Sequence, residues 1–409
     1  VAQPAAMPVG AASVAVRQAS LREHNLALVL RHIATAARPP SRADLATITG
    51  LTRATVSALV DDLITGRLLS EVVRTPRSGA GRPALGLTLA GHGPVGLGLE
   101  INVDYLAAVL VDLPGAVRHR AVRRIDLRPV PPAEALALVA ELITEAGTEA
   151  DRQDLVLAGT ALAVPGLVSA TGVVRLAPNL GWRDVDVPAL LGGHPMLSGR
   201  GLSVDNEANL AALGELHAGP PDSANFIYIS GEVGIGAGIV LHGTLFRGAR
   251  GWSGELGHVP VHPDGRPCRC GGLGCLEQYA GQEAILAGAG LTDGPTPLAR
   301  LIEAAGRDEP TARRALVEAA TALGVAIAGV INLLDVDTVV LGGVYAPLAG
   351  WLGPPVEAEI RRRVLTAAWS PVTVRPALLG GDGAAVGAAG SVVRTVLEQP
   401  ARWLARPLR

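Results

Sequence analysis

VGLGLEINVDYLAAVLVDLPGAVRHRAVRRIDL, residues 95–127, reads as a strand, a short turn, a second strand, a glycine turn and a third strand. The helical AEALALVAELITEAG, residues 133–147, follows it, with apolar residues recurring three and four apart. Much later NFIYISGEVGIGAGIVLHGTLFRG, residues 225–248, repeats the same order of strands and turns. A pattern that occurs twice predicts two similar α/β halves facing a cleft. A single dinucleotide-binding sheet fits less well, because GEVGIGAG runs on into the strand-like GIVLHG instead of opening a helix.

Outside these segments, 409 residues suggest two or three domains, and 49% apolar residues can build a sizeable core. No apolar run approaches the roughly 20 uncharged residues needed to span a bilayer. The N-terminus lacks the basic start and apolar run of a secretory signal. The expectation is a soluble cytoplasmic protein with no membrane partner. The chain holds no lysine, so arginine carries all its fixed positive charge. That charge is uneven: residues 1–90 carry ten arginines against five acids, and the remainder 25 against 32.

Within the basic part, residues 1–20 lack a clear period and are expected to form a flexible arm. Apolar positions from Leu26 to Ile33 make a helix face that ends before Pro39 and Pro40. Next, Ser41 is a good N-cap for a short helix, Gly50 suits the left-handed turn, Thr52 caps a second helix and Gly66 ends it. This is a helix-turn-helix layout, in which the start of the second helix enters the DNA major groove. Ser41, Thr52, Arg53, Thr55 and Ser57 are the candidate DNA contacts, with the small Ala54 beside them. Two strands joined by a loop of Gly, Pro and Arg follow, a wing whose Arg74, Arg77 and Arg82 can meet phosphate or minor groove. A helical interaction module with a solvated basic face is the alternative. The predicted division is a winged helix-turn-helix over 21–90, a hinge over 91–96 and a two-lobed domain over 97–409. Its second lobe begins near residue 208, and its C-terminal helix returns to the first lobe.

All three cysteines, Cys268, Cys270 and Cys275, fall in one eight-residue loop. An odd number cannot pair internally, and a reducing compartment favours metal or redox roles over disulfides. His258 lies ten residues upstream and completes a His-Cys-Cys-Cys set suited to tetrahedral Zn²⁺. Cys-Arg-Cys is a poor redox pair. A structural zinc site is expected, with an apo thiol cluster as the alternative. A closed four-ligand site leaves no position for substrate, so such a metal would brace the loop.

GWSGELGH at 251–258, with CRCGGLGCLE at 268–277, resembles the signature of the ROK family of sugar kinases and sugar-responsive repressors. VDNEANLAALGE at 204–215 looks like the start of that family's active-site helix, and the winged helix resembles that of its repressor branch. The resemblance implies a two-lobed, actin-like sugar-kinase fold. It implies sugar-hydroxyl contacts for Glu255, His258, Glu277, Asn179 and Asn206, with Glu207 at the place of the kinase's general-base Asp. Amides and carboxylates suit this task because each can engage two neighbouring hydroxyls.

The phosphate-binding parts depart from the catalytic pattern. The family's D-I-G-G-T turn is here Glu100-Ile101-Asn102-Val103-Asp104, Val233 stands where a Thr is usual, and Glu207 replaces the base Asp. The expectation is a sugar-binding repressor of carbohydrate genes, without phosphoryl transfer, acting as a homodimer or homotetramer on double-stranded operator DNA. The alternative is an active ATP-dependent sugar kinase that also binds DNA.

Overall fold

Ser41 and Thr52 set the first breaks in the chain. A computed structural model describes residues 18–73, 85–220, 224–292 and 296–406. Helix α1 (Gln18–Ala34) leads to α2 (Arg42–Thr49), where the Ser41 hydroxyl accepts from the Asp44 N–H and the Asp44 carboxylate accepts from the Ser41 N–H. This reciprocal cap satisfies two backbone donors that a helix start otherwise leaves bare. Gly50 closes α2 at φ 72°, a left-handed conformation that costs a residue with a Cβ about 1 kcal/mol or more. Thr52 caps α3 (Arg53–Thr65), which buries Val56, Leu59, Val60 and Leu63. Arg42 ties the pieces together through Asp61 at 2.7 Å and Glu71 at 3.0 Å. Strands β1 (Leu69–Val73) and β2 (Leu85–Leu89) form an antiparallel hairpin with Leu69 opposite Leu89.

From His92 to Arg394 the chain forms a second unit. Strands β3 (Pro94–Ile101), β4 (Tyr105–Asp112) and β5 (Val117–Arg124) run antiparallel in sequence. Helix α4 (Pro132–Arg152) carries the chain to β6 (Val156–Val164), parallel to β3. A small sheet of β7 (Leu167–Val168), β8 (Val173–Ala177) and β9 (Trp182–Asp186) and the short α5 (Val187–Leu191) precede β10 (Leu202–Asn206), parallel to β6. The sheet order is β10-β6-β3-β4-β5.

After α6 (Glu207–Ala218), the second half repeats this plan. Strands β11 (Phe226–Gly231), β12 (Ile235–Leu241) and β13 (Thr244–Phe246) are antiparallel. Helices α7 (Glu277–Ala280), α8 (Gln282–Gly288), α9 (Pro297–Gly306) and α10 (Pro310–Leu334) follow. Then β14 (Thr338–Gly343) pairs parallel to β11, and after α11 (Tyr345–Arg363) β15 (Thr373–Pro376) pairs parallel to β14. Read from its other edge this sheet is β15-β14-β11-β12-β13, the same order as the first. The repeat seen in the sequence is therefore a repeat of topology. One apolar core lies around β3, β4 and α4, and another around α10, α11 and β11. Helix α10 is long and apolar enough to cross a membrane by length and composition, but more than half of it is buried, with Leu316, Leu323 and Ile327 in the core.

Helix α12 (Gly383–Glu398) returns to the first sheet, where Ala385 and Ala389 pack with Ala107, Val109 and Val111. Three boundaries differ from the sequence reading. Residues from Thr395 onward, including α13 (Pro400–Leu404), group with the N-terminal unit, so the second unit ends near 394 and not at 409. Trp403 gives the reason: its indole is 4% exposed and donates to the Gly66 carbonyl at 2.9 Å. Hinge residues 94–96 belong to β3, because Pro94 already pairs with Val156. Among the described residues α1 already runs from Gln18, inside the expected arm; residues 1–17 lie outside the described residues.

Candidate functional site

Between the two halves lies a cleft of about 870 Å³, lined by Asn179, Asn206, Glu207, Glu255, His258 and Glu277. All six residues expected to face a sugar thus share one cavity. Asn206 ends β10 and caps α6, its side-chain oxygen accepting from the Ala208 N–H at 2.8 Å while its amide donates to the Gly166 carbonyl at 3.0 Å. Glu207 is the first residue of α6. Glu255 and His258 flank a single 3₁₀ turn, and Glu277 opens α7. Gly254, at φ 102°, lets this turn enter the cleft, since a Cβ there would lie 1.9 Å from the Ala237 carbonyl oxygen. Gly234 is needed for space, because its Cβ would meet Asn179 at 2.8 Å and Glu277 at 2.9 Å.

The cleft is acidic. Asn102, Val103 and Glu232 also line it, and among the described residues no arginine does. Glu100 is 4% exposed behind it and accepts from the Tyr105 hydroxyl at 2.6 Å. Burial pushes its carboxyl up to about 7 and raises Glu232 well above the usual range. Glu207 faces the cleft but is surrounded by protein. Burial first, then Glu255, Glu100 and Asp205, push its carboxyl up to about 8. Burial also raises Glu255 and Glu277. Glu100 stands in the segment that resembles the phosphate turn, but nothing in the sequence singles out Glu232, because alternation does not say which side chains reach a cleft.

Three backbone donors of the segments that would cradle phosphate are committed to the protein itself. In the 102–104 turn, the Asn102 N–H donates to the Tyr105 carbonyl at 2.9 Å and the Val103 N–H to the Asn102 side-chain oxygen at 2.6 Å. In the second loop the Glu232 N–H donates to the Gly234 carbonyl at 2.8 Å. Phosphate cradles work by presenting free N–H groups. These three donors are already spent within the protein.

Stability should register the buried acids. Glu207 titrates near 4.5 when unfolded and near 8 in the cleft, so between these values the folded chain holds a proton that the unfolded chain has released. Its contribution is fully present below the lower value and is lost as pH rises through the upper one. Raising pH from about 5 to about 9 is expected to lower the melting temperature. Glu207→Gln should flatten that slope by up to roughly 1 kcal/mol per pH unit in calorimetry, and an unchanged slope would contradict the assignment.

Next to the cleft, His258 Nδ1 lies 3.8 Å from Cys268 Sγ, and Cys270 Sγ lies 3.7 Å from Cys275 Sγ. All four ligand atoms lie within 4.8 Å of one another, and the thiols are free. Thiolates about 2.3 Å from a tetrahedral ion sit about 3.8 Å apart, so this donor set fits a metal ion. The Cys268 N–H donates to the Gly272 carbonyl at 2.9 Å and the Gly272 N–H points at Cys270 Sγ at 3.4 Å, folding the loop tightly around the sulfurs. Arg269, between two of the thiols, reaches Asn179 at 3.5 Å and Glu283 at 3.1 Å. Arg128 meets the same Glu283 at 3.3 Å, and these polar contacts connect the two halves beside Asn179.

Of the candidate DNA contacts, Thr52, Arg53 and Ala54 are exposed, and Thr55 and Ser57 half-buried, at the start of α3. The hydroxyls of Thr52 and Thr55 pair at 2.8 Å. Ser41 is a correction: it is 8% exposed and its hydroxyl is committed to the α2 cap, so it does not present itself to a groove. Arg74, Arg77 and Arg82 lie outside the described residues.

Comparison with known proteins agrees with this geometry. The chain is 27% identical over 382 residues to a xylose repressor of Bacillus subtilis, covering 93% of this chain and 98% of that one. The crystal structure of a ROK family transcriptional regulator, described as a homolog of the E. coli MLC protein, superposes with a TM-score of 0.76 at 28% identity, covering 94% of this chain and 100% of that one. A ROK family glucokinase from Streptomyces griseus, solved with glucose and AMPPNP, gives 0.65 at 27% identity over 73% of this chain and 98% of its own. The ROK family model matches residues 96–394, the two lobes with the cleft between them, and the chain belongs to the ROK family.

Proposed function

We propose that this chain is a sugar-responsive transcriptional repressor of carbohydrate uptake or catabolism genes, acting in the cytoplasm on double-stranded operator DNA. One observation carries the reading: the cleft gathers all six expected hydroxyl-binding side chains, while the Asn102, Val103 and Glu232 N–H groups of the phosphate-loop segments are used internally. The site is equipped to bind a neutral polyol and poorly equipped to hold nucleotide phosphates. Glu100 and Glu232 add to the mismatch, because as carboxyls they offer phosphate no positive charge and the ionised form of either would repel it.

In this reading a monosaccharide enters between the lobes. Glu255, Glu277 and Glu207 accept its hydroxyls, and Asn179 supplies an amide. His258, Cys268, Cys270 and Cys275 would hold Zn²⁺, which would cross-link the 255–258 turn to the start of α7. His258 gives Nδ1 to that set, leaving its other ring nitrogen for the cleft. The sugar favours one arrangement of the lobes, and that preference changes the DNA affinity of a dimer or tetramer whose recognition helices read two half-sites. Arg53, Thr55 and Ser57 would read bases, and Arg74, Arg77 and Arg82 would meet phosphate or minor groove.

The test is fluorescence anisotropy of the protein with its own upstream DNA at fixed salt, against a panel of monosaccharides that includes xylose. One sugar is expected to weaken operator binding by about 5- to 150-fold. The same preparation should release no ADP from ATP with that sugar. Sugar-dependent ADP release abolished by Glu207→Ala would establish a kinase instead.

A further inference from the structure

The last helix of the chain ends in the DNA reader. Trp403 of α13 donates to the Gly66 carbonyl at 2.9 Å, across 337 positions of sequence, and Gly66 is the cap that ends α3. The fit leaves no slack: a Cβ on Gly66 would lie 2.1 Å from Leu404 Cδ2. Arg406 covers the indole face at 5.3 Å, and α13 also packs on α1. The end of the recognition helix is therefore seated on a segment that arrives from the other end of the chain.

That segment follows directly from α12, with only Gln399 between Glu398 and Pro400. The first part of α12 is packed among the elements that form the cleft. A Cβ on Gly98 of β3 would lie 1.9 Å from the Ala385 carbonyl oxygen, and one on Gly387 would lie 1.9 Å from the Leu210 carbonyl oxygen of α6. A Cβ on Gly383 would approach the Tyr228 hydroxyl of β11 at 3.1 Å. Thus α12 touches β3 from the first half and β11 from the second. It also touches α6, whose cap Asn206 and first residue Glu207 line the cleft. Contacts at carbonyl-to-glycine distance transmit displacement, because they have no side chain to give way.

We infer that Trp403 is a positioning residue for the sugar response: α13 anchors the end of α3 to α12, and through α12 the state of the sugar cleft reaches the DNA reader. The inference rests on the repressor reading above, and its test keeps the two apart. Two variants are compared with the full-length wild type: Trp403→Phe, which keeps the ring but removes the indole N–H, and an insertion of three glycines after Gln399, which leaves α13 free to dock but loosens its link to α12. For each, the operator Kd is measured with and without the effective sugar, together with the sugar Kd.

Both variants are expected to bind operator without sugar, and sugar itself, within about 3-fold of wild type. The sugar-induced weakening should shrink by about 10-fold or more in the insertion variant and by a smaller factor in Trp403→Phe. A wild type whose operator binding ignores every sugar would sink the repressor reading and this inference with it. If the wild type responds and the insertion variant responds equally, the inference alone is wrong. Loss of sugar-free operator binding in the insertion variant would give α13 a purely structural role and overturn it too.

Discussion

Cys270→Ser is expected to strip the metal from the chain, lower the melting temperature by about 10 °C and weaken sugar binding at the same time. The choice of cysteine matters. Cys268 and Cys275 are buried, so changing either would disturb packing as well as ligation; Cys270 is exposed, and serine there is nearly isosteric. A large loss of stability at an exposed position can come only through the ion it helps to hold. Structural zinc sites contribute their binding free energy directly to folding, and a three-ligand remnant retains little of it. Sugar affinity falls because the 258 ligand shares its turn with Glu255, and Glu277 follows Cys275 by two residues. Metal content by atomic emission and a thermal melt decide the matter. A variant that melts with wild type, from a wild type that carries no zinc, would leave only a thiol cluster.

Glu255→Gln should have the second largest effect, and a separable one. The amide keeps the shape of the carboxyl but replaces one acceptor with a donor, so two neighbouring sugar hydroxyls can no longer both donate to it. Losing a hydrogen bond to a charged group in a partly buried site costs about 1.5–3 kcal/mol, or roughly 10- to 150-fold in sugar affinity. Glu255 belongs to the second unit and the candidate DNA contacts to the first, so operator binding without sugar should remain within experimental error. The variant would then be a repressor that its sugar fails to release. Calorimetric titration with sugar and anisotropy with operator measure the two halves of this expectation. Equal loss of both would mean the substitution had damaged the fold.

Local patterns made much of this legible beforehand. The duplicated β-β-β-α-β plan can be read because strand alternation and glycine turns are short-range signals, and they recur in the same order at 95–127 and 225–248. The caps at Ser41 and Thr52 are likewise determined by residues three apart. The thiol loop stands out because every cysteine lies in it. What stayed hidden depends on distance in sequence. Nothing near Trp403 says that its partner is Gly66, and nothing near Thr395 says that the chain there changes allegiance from one unit to the other. Glu232 was hidden for another reason: a glutamate in a strand-end segment reads as a surface acid until the opposite lobe is placed over it. Ser41 shows the converse error, in which a residue suited to two tasks, cap and DNA contact, is used up by the nearer one.

The internally spent N–H groups of the 102–104 turn have a consequence for how such a chain can change over generations. On the proposed reading, regaining phosphoryl transfer would need the Asn102 side chain removed from the Val103 N–H, the Glu100 and Glu232 carboxyls replaced, and the carboxyl at 207 shortened. Each step alone yields no turnover for selection to favour. The step at Glu100 also empties a packed position that is 4% exposed. Descent from this point is a ratchet: point mutation can retune which sugar is sensed or which operator is read, but the way back to catalysis passes through several intermediates with neither function improved.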